Sequence, residues 1–293
     1  VKIFTETDKI SREEKWCVRN LDVGSLTNIG RLSFPLNDLD EAQQLKVTLE
    51  LENTNFKNEW MIWVFPSELP EVSKEDILIA DEMNDEMLLA LKDGKKVLLH
   101  AHNLGNESNS VSVNFYPLYW SLTFFPGQGK TSIGLLLKDK HPAFNNFPTS
   151  FHSDWQWEPF DKQTKGFILN DMPANYNPIA QVVDDFHRNN KVGAIFEFKV
   201  GKGKLLVSGF DLTNENSMVS KQLKYSLLNY MNTNDFNPNQ EVSDNYLKKL
   251  FPLIPQATKV VKNSEFENAI LQVNAGHNLE EIEISKPWEN GLD

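Results

Sequence analysis

A chain of 293 residues, 40% hydrophobic and 24% charged, has the make-up of a globular protein of one large domain or two ordinary ones. Its formal net charge of -12 argues against a nucleic-acid partner and fits a neutral or small ligand. A single cysteine, Cys17, excludes an intrachain disulfide and a cysteine zinc site. No apolar run reaches the roughly 18 residues that a membrane-spanning helix needs, so no membrane partner is expected. No basic and apolar leader stands at Val1, and the missing methionine suggests a processed chain or an excised piece.

Residues 1–66 have a β pattern. Arg31-Leu32-Ser33-Phe34-Pro35-Leu36 is short and alternating, and residues 45–52 alternate apolar and polar side chains like a half-buried antiparallel strand. Asn53-Thr54-Asn55 predicts a turn. Residues 60–65 predict a mostly apolar strand that ends at Pro66. Three such strands are too few to enclose a core, so the segment is expected to dock on the part of the chain beyond Pro66.

Residues 67–240 mix strands with helices. Residues 77–80 predict a buried strand. Residues 84–91 predict a helix with Met87, Leu88 and Leu91 on one face, stopped by Gly94, and residues 96–100 a second strand. Strand, helix and strand at this spacing predict a βαβ unit and a parallel sheet. Residues 178–189 predict a helix with Ile179, Val182, Val183 and Phe186 on one face. Residues 193–198 and 204–208 predict strands around a Val200-Gly201-Lys202-Gly203 turn, and residues 216–231 a helix. In the remaining extension, 241–293, residues 246–251 suggest a short helix, residues 269–273 a strand and residues 286–291 a tail.

The densest chemistry lies in residues 141–157, where His141, His152, Asp154, Trp155 and Trp157 gather. As a strand, residues 152–157 would set His152, Asp154 and Gln156 on one face and Ser153, Trp155 and Trp157 on the other. One reading makes the indoles core and His152–Asp154 a structural pair. The other makes a ligand site or an interface, with aromatic rings to stack on a sugar and Trp120 in support. His100 and His102 end a predicted parallel strand, where open α/β sheets bind ligands. With His141 or Asp139 as a third ligand they would suit a metal-dependent hydrolase. Gly127-Gln128-Gly129-Lys130-Thr131 lacks the first glycine of a phosphate-binding loop. Glu82, Glu86, Glu158 and Glu197 sit in no motif that singles out a glycosidase pair, and Gly-x-Ser-x-Gly is absent.

Several motifs carry a family resemblance. Asn58-Glu59-Trp60-Met61-Ile62-Trp63-Val64-Phe65-Pro66, Tyr116-Pro117-Leu118-Tyr119-Trp120-Ser121, His141-Pro142-Ala143-Phe144, Phe147-Pro148-Thr149 and the 152–157 run resemble the region after the catalytic barrel of bacterial family 2, β-galactosidase-like glycoside hydrolases. Residues 178–181, 196–207 and 222–231 continue the likeness, which spans about residues 25–240. It implies a flavodoxin-like, class I glutamine-amidotransferase-like open α/β sheet preceded by a small immunoglobulin-like β segment. Amidotransferase chemistry is excluded, because the nucleophilic cysteine would stand in a strand-to-helix turn and Cys17 lies in the β region. No catalytic residue of the family can be carried onto this chain, and no cofactor is implied. The implied role is a non-catalytic accessory region acting beside an upstream catalytic barrel of the same polypeptide. A carbohydrate-binding module, or a homo-oligomer, is also compatible with the likeness. The likeness implies a periplasmic or extracellular setting.

Overall fold

The computed structural model describes residues 2–5, 11–17, 23–33, 35–36, 39–114, 132–161 and 163–251. Trp120, the Tyr116-to-Ser121 motif, the 127–131 loop and the elements expected at 269–273 and 286–291 lie outside the described residues.

The chain is mixed α/β with a β-rich N-terminal part. That part is a four-stranded antiparallel sheet of β1 (Lys2–Thr5), β2 (Ser11–Glu13), β3 (Gln43–Glu50) and β4 (Lys57–Val64), in the order β2-β1-β3-β4. β3 and β4 match the strands expected at 45–52 and 60–65. The described residues of the 31–36 run are irregular instead, and β1 and β2 supply the remaining strands. One sheet face carries Leu45, Val47, Trp60, Ile62 and Val64, since β3 and β4 pair Leu45 with Ile62 and Val47 with Trp60. Among the side chains described, Leu39, Leu45 and Val64 form a buried cluster there. Trp60 and Ile62 remain 47% exposed each.

The larger sheet has eight strands. Its main path is β5 (Ile77–Ala80), β6 (Lys96–His100), β12 (Gly203–Ser208), β11 (Val192–Val200), β10 (Ala180–Val183) and β8 (Gly134–Leu137). β7 (Ser110–Val113) pairs with β9 (Thr164–Ile168), which pairs with the start of β11. Only β5, β6 and β12 run parallel to one another; the other pairings are antiparallel. The expected parallel sheet is therefore limited to the βαβ crossover and β12, because hairpin connections such as 200–203 make β11 and β12 antiparallel neighbours. Helix α1 (Asp85–Lys92) makes that crossover. The Asn84 side chain accepts from the Met87 amide at 2.9 Å to start it, and Gly94 at φ 88° follows its end.

Both faces of the sheet are covered. Val97, Leu99, Leu205 and Val207 point to one cluster and Leu98 and Leu206 to the other, as period-2 alternation requires. Met87 and Leu91 of α1 and Leu247 and Leu250 of α3 (Asp244–Leu250) lie in the first cluster. Leu223, Leu227 and Met231 of α2 (Met218–Met231) lie in the second, with the aromatic rings of residues 144–160.

The helix expected at 178–189 is a strand, β10, followed by a turn. Ala180 and Val182 are fully buried while Gln181 and Val183 point away, a period of two. The 179/182/183/186 spacing suits a helix as well, but β8 and β11 offer hydrogen bonds to both edges of residues 180–183. The Asp184 and Asp185 carboxylates then accept from the Asn190 and His187 amides, which favours a turn over a continuing helix.

Candidate functional site

The run 152–157 is no strand. His152 makes one isolated bridge to Leu136, and a 3-10 helix begins at Trp155, so the alternating faces do not form. Asp154 caps that helix, its Oδ1 accepting from the Gln156 amide at 3.0 Å. Its other oxygen, Oδ2, accepts from Trp63 Nε1 of β4 at 2.9 Å. Asp154 therefore ties the N-terminal sheet to the α/β part. Phe65 supports the joint by stacking on Phe147, with ring centroids 5.8 Å apart.

The two indoles separate. Trp157 is fully buried, donates from Nε1 to Thr149 Oγ1 at 3.0 Å, and meets Phe147 and Phe210 at centroid distances of 5.2 and 5.1 Å. Thr149 of the Phe147-Pro148-Thr149 motif thus satisfies the one polar atom of a core residue. Trp155 is 82% exposed, near in sequence to the exposed Phe151 and His152. His152 does not pair with Asp154: its Nδ1 lies 3.0 Å from the Ser153 carbonyl and its ring packs edge-on to Phe151.

His141 belongs to a different place. It caps a short 3-10 turn after β8 and opens onto a cleft of about 380 Å³ that it shares with Lys138 and Glu197. The rim carries Asn175, Asn177, Asn239 and Gln240, with Ile179 and Tyr176 as the less polar walls. His141 Nδ1 accepts from the Ala143 amide at 3.2 Å. Burial, helped by the nearby Lys138 charge and opposed by Asp235, lowers the His141 pKa to about 4. The ring is therefore neutral near pH 7, and with Nδ1 accepting, its proton sits on Nε2.

Glu197 lies in the middle of β11. Burial raises its pKa, against the pull of the Tyr230 hydroxyl, which donates to Oε2 at 2.7 Å, and of Lys138 and Lys204. Tyr230 and Tyr176 are pushed up in turn, first by burial. The Tyr176 hydroxyl donates to the Glu197 carbonyl at 3.0 Å, which fixes that wall. Lys138 keeps much of its side chain in solvent, yet the surrounding wall lowers its pKa by desolvation; its ammonium donates to the Asn177 carbonyl at 2.6 Å. Perturbed acid, base and amides converging on a concavity mark a candidate binding site. Glu197 has no sequence signal beyond one charge in an otherwise apolar strand, Ala194 to Phe198.

A second polar group lies where the parallel strands end. His100 is buried at the end of β6, its Nδ1 2.9 Å from Asp81 Oδ1, and burial lowers its pKa. His102 Nε2 lies 3.6 Å from Asp211 Oδ1. The expected third metal ligands are elsewhere: His141 lines the Glu197 cleft, and Asp139 is engaged with Lys140. Among the described residues no group of three or more His, Cys, Asp or Glu is placed to hold a metal ion. No helix among them is long and apolar enough to cross a membrane.

Two family models match the chain. One, described as Domain of unknown function (DUF8487), covers residues 78–252, and the other, Domain of unknown function (DUF8488), covers residues 1–66. No curated protein matches it.

Proposed function

The chain belongs to the DUF8487 family, and from that premise we propose that it is a non-catalytic accessory region of a larger β-glycoside-processing polypeptide of family 2 type. Its α/β part would be a variant of the flavodoxin-like, glutamine-amidotransferase-like sheet, and its first 66 residues an immunoglobulin-like piece. In support of the first, β5, α1, β6 and β12 have the parallel arrangement of such folds. One observation carries the accessory role. Among the side chains described, the N-terminal sheet buries Leu39, Leu45 and Val64 as a cluster and leaves Trp60 and Ile62 half exposed on the same face. A neighbouring barrel of the same polypeptide would complete that core.

Hydrolysis of nitrophenyl β-glycosides by this chain alone tests the role. No turnover is expected; turnover comparable to that of a glycosidase overturns it. The reading frame preceding the Val1 codon gives an independent check, in which a barrel-encoding extension is expected and its absence counts against the proposal.

The exposed Trp155 favours a second role, carbohydrate binding in the 152–157 region through its indole face. Oligosaccharide titration should then change tryptophan fluorescence in the wild type and not in Trp155→Ala. An identical response in both removes this role.

A further inference from the structure

We propose that the cleft between Lys138, His141 and Glu197 binds a small neutral polyhydroxylated molecule of monosaccharide size. The observations that point there are volume, charge and the arrangement of donors and acceptors. At about 380 Å³ the cleft falls in the range of small-molecule sites, roughly 300–1,000 Å³. Its charged lining is one lysine and one glutamate, and His141 is neutral near pH 7. An anion would meet Glu197 and a cation Lys138 without a second opposite charge to offset it.

The polar groups are held from behind. Tyr230 fixes Glu197 Oε2 and the Ala143 amide fixes His141 Nδ1. Among the described residues, Glu197 Oε1 and His141 Nε2 take no hydrogen bond, so a fixed carboxyl oxygen and a fixed N–H remain for a ligand. Side-chain amides dominate the rim. Each both donates and accepts, as a hydroxyl does, which matches a ligand with many hydroxyls better than one with many methylenes. Ile179 and the Tyr176 wall supply limited apolar surface of the kind a sugar ring's C–H face would meet. The assignment stands apart from the accessory role, since a stand-alone protein could use the same cleft.

Ligand-observed NMR on the full chain tests it, using D-glucose, D-galactose, D-mannose and D-xylose, with acetate and L-alanine as charged and zwitterionic comparisons. At least one monosaccharide is expected to bind at millimolar concentration, and the comparisons are not. Glu197→Gln should weaken that binding about tenfold through loss of a carboxyl oxygen at the cleft. Asn175 and Asn239 are exposed, so Asn175→Ala and Asn239→Ala leave the fold intact and should weaken binding severalfold. Trp155→Ala should leave it unchanged. Binding of no monosaccharide, preference for acetate or alanine, or affinity indifferent to all three cleft variants overturns the proposal.

Discussion

Trp155 and Trp157, two residues apart, have opposite fates, and their environments set opposite costs for removal. Trp157 fills the space between Phe144, Phe147, Phe160 and Phe210. Trp157→Ala should cost about 3–5 kcal/mol, because the cavity cannot collapse and Thr149 loses its donor. Trp155→Ala should fall within about 0.5 kcal/mol of wild type. Urea unfolding of both variants checks this, and equal losses would contradict the placement of the rings. His141 sets a pH dependence. Its pKa is about 4 in the fold against 6.5 for the free group, so between those values the unfolded chain binds more protons. Its contribution is present above pH 6.5 and is lost as the pH falls through 4, by at most about 3 kcal/mol. His141→Gln should flatten stability against pH across that window. Glu197 acts with the opposite sign: its raised pKa makes stability fall as pH rises above its ordinary value, so Glu197→Gln should gain on wild type toward neutral pH. Unfolding midpoints from pH 4 to 8 measure both, and parallel curves would mean that the groups are not buried as described.

The elements legible in the sequence carry their own local signals. β3, β5, α1, β6, the 200–203 hairpin, α2 and α3 each have a clear period or a cap, such as Asn84 for α1 and Ser217 for α2. β10 lacks one, because its apolar spacing fits two periods and only the free edges of β8 and β11 choose between them. β7, β8 and β9 are four or five residues each, too short to show a clear period, and are placed by pairing and by the burial of Val111, Val113, Leu135, Leu137 and Phe167. The crossing of β9 past β12 depends on Gly209, where an added Cβ would run into the Lys165 carbonyl oxygen. Gly209→Ala should therefore destabilise by about 2 kcal/mol or more and loosen the β9 pairing, since backbone rather than a flexible side chain is in the way. Hydrogen exchange at the Lys165 amide, which donates to the Gly209 carbonyl, reports that loosening; unchanged protection would sink the argument.

Across the whole molecule, a hydrogen bond and a ring stack among the described residues join the N-terminal sheet to the α/β part. The Asp154–Trp63 hydrogen bond links them across 91 positions of sequence, and the Phe65–Phe147 stack supports it. Asp154→Ala removes a cap and a tie together and should cost about 1–2 kcal/mol. It should also shift Trp63 fluorescence and speed proteolysis within residues 66–76, while Asp154→Asn, which keeps an acceptor, should do less. Equal behaviour of the two variants would show that Asp154 acts only as a charge.

The sequence alone determined the β-rich beginning, the βαβ start of the larger sheet, the hairpin and the long helix. These depend on periodicity, turn residues and caps within a few positions of one another. Tertiary structure decided the rest. It split the Trp pair between core and solvent, turned Asp154 toward a strand about ninety residues earlier, and separated His141 from His100 and His102. It also set His141 beside Glu197, a glutamate with no motif around it. Such placements depend on which strands pair and which faces are covered, and those long-range contacts leave no periodic trace in a single chain.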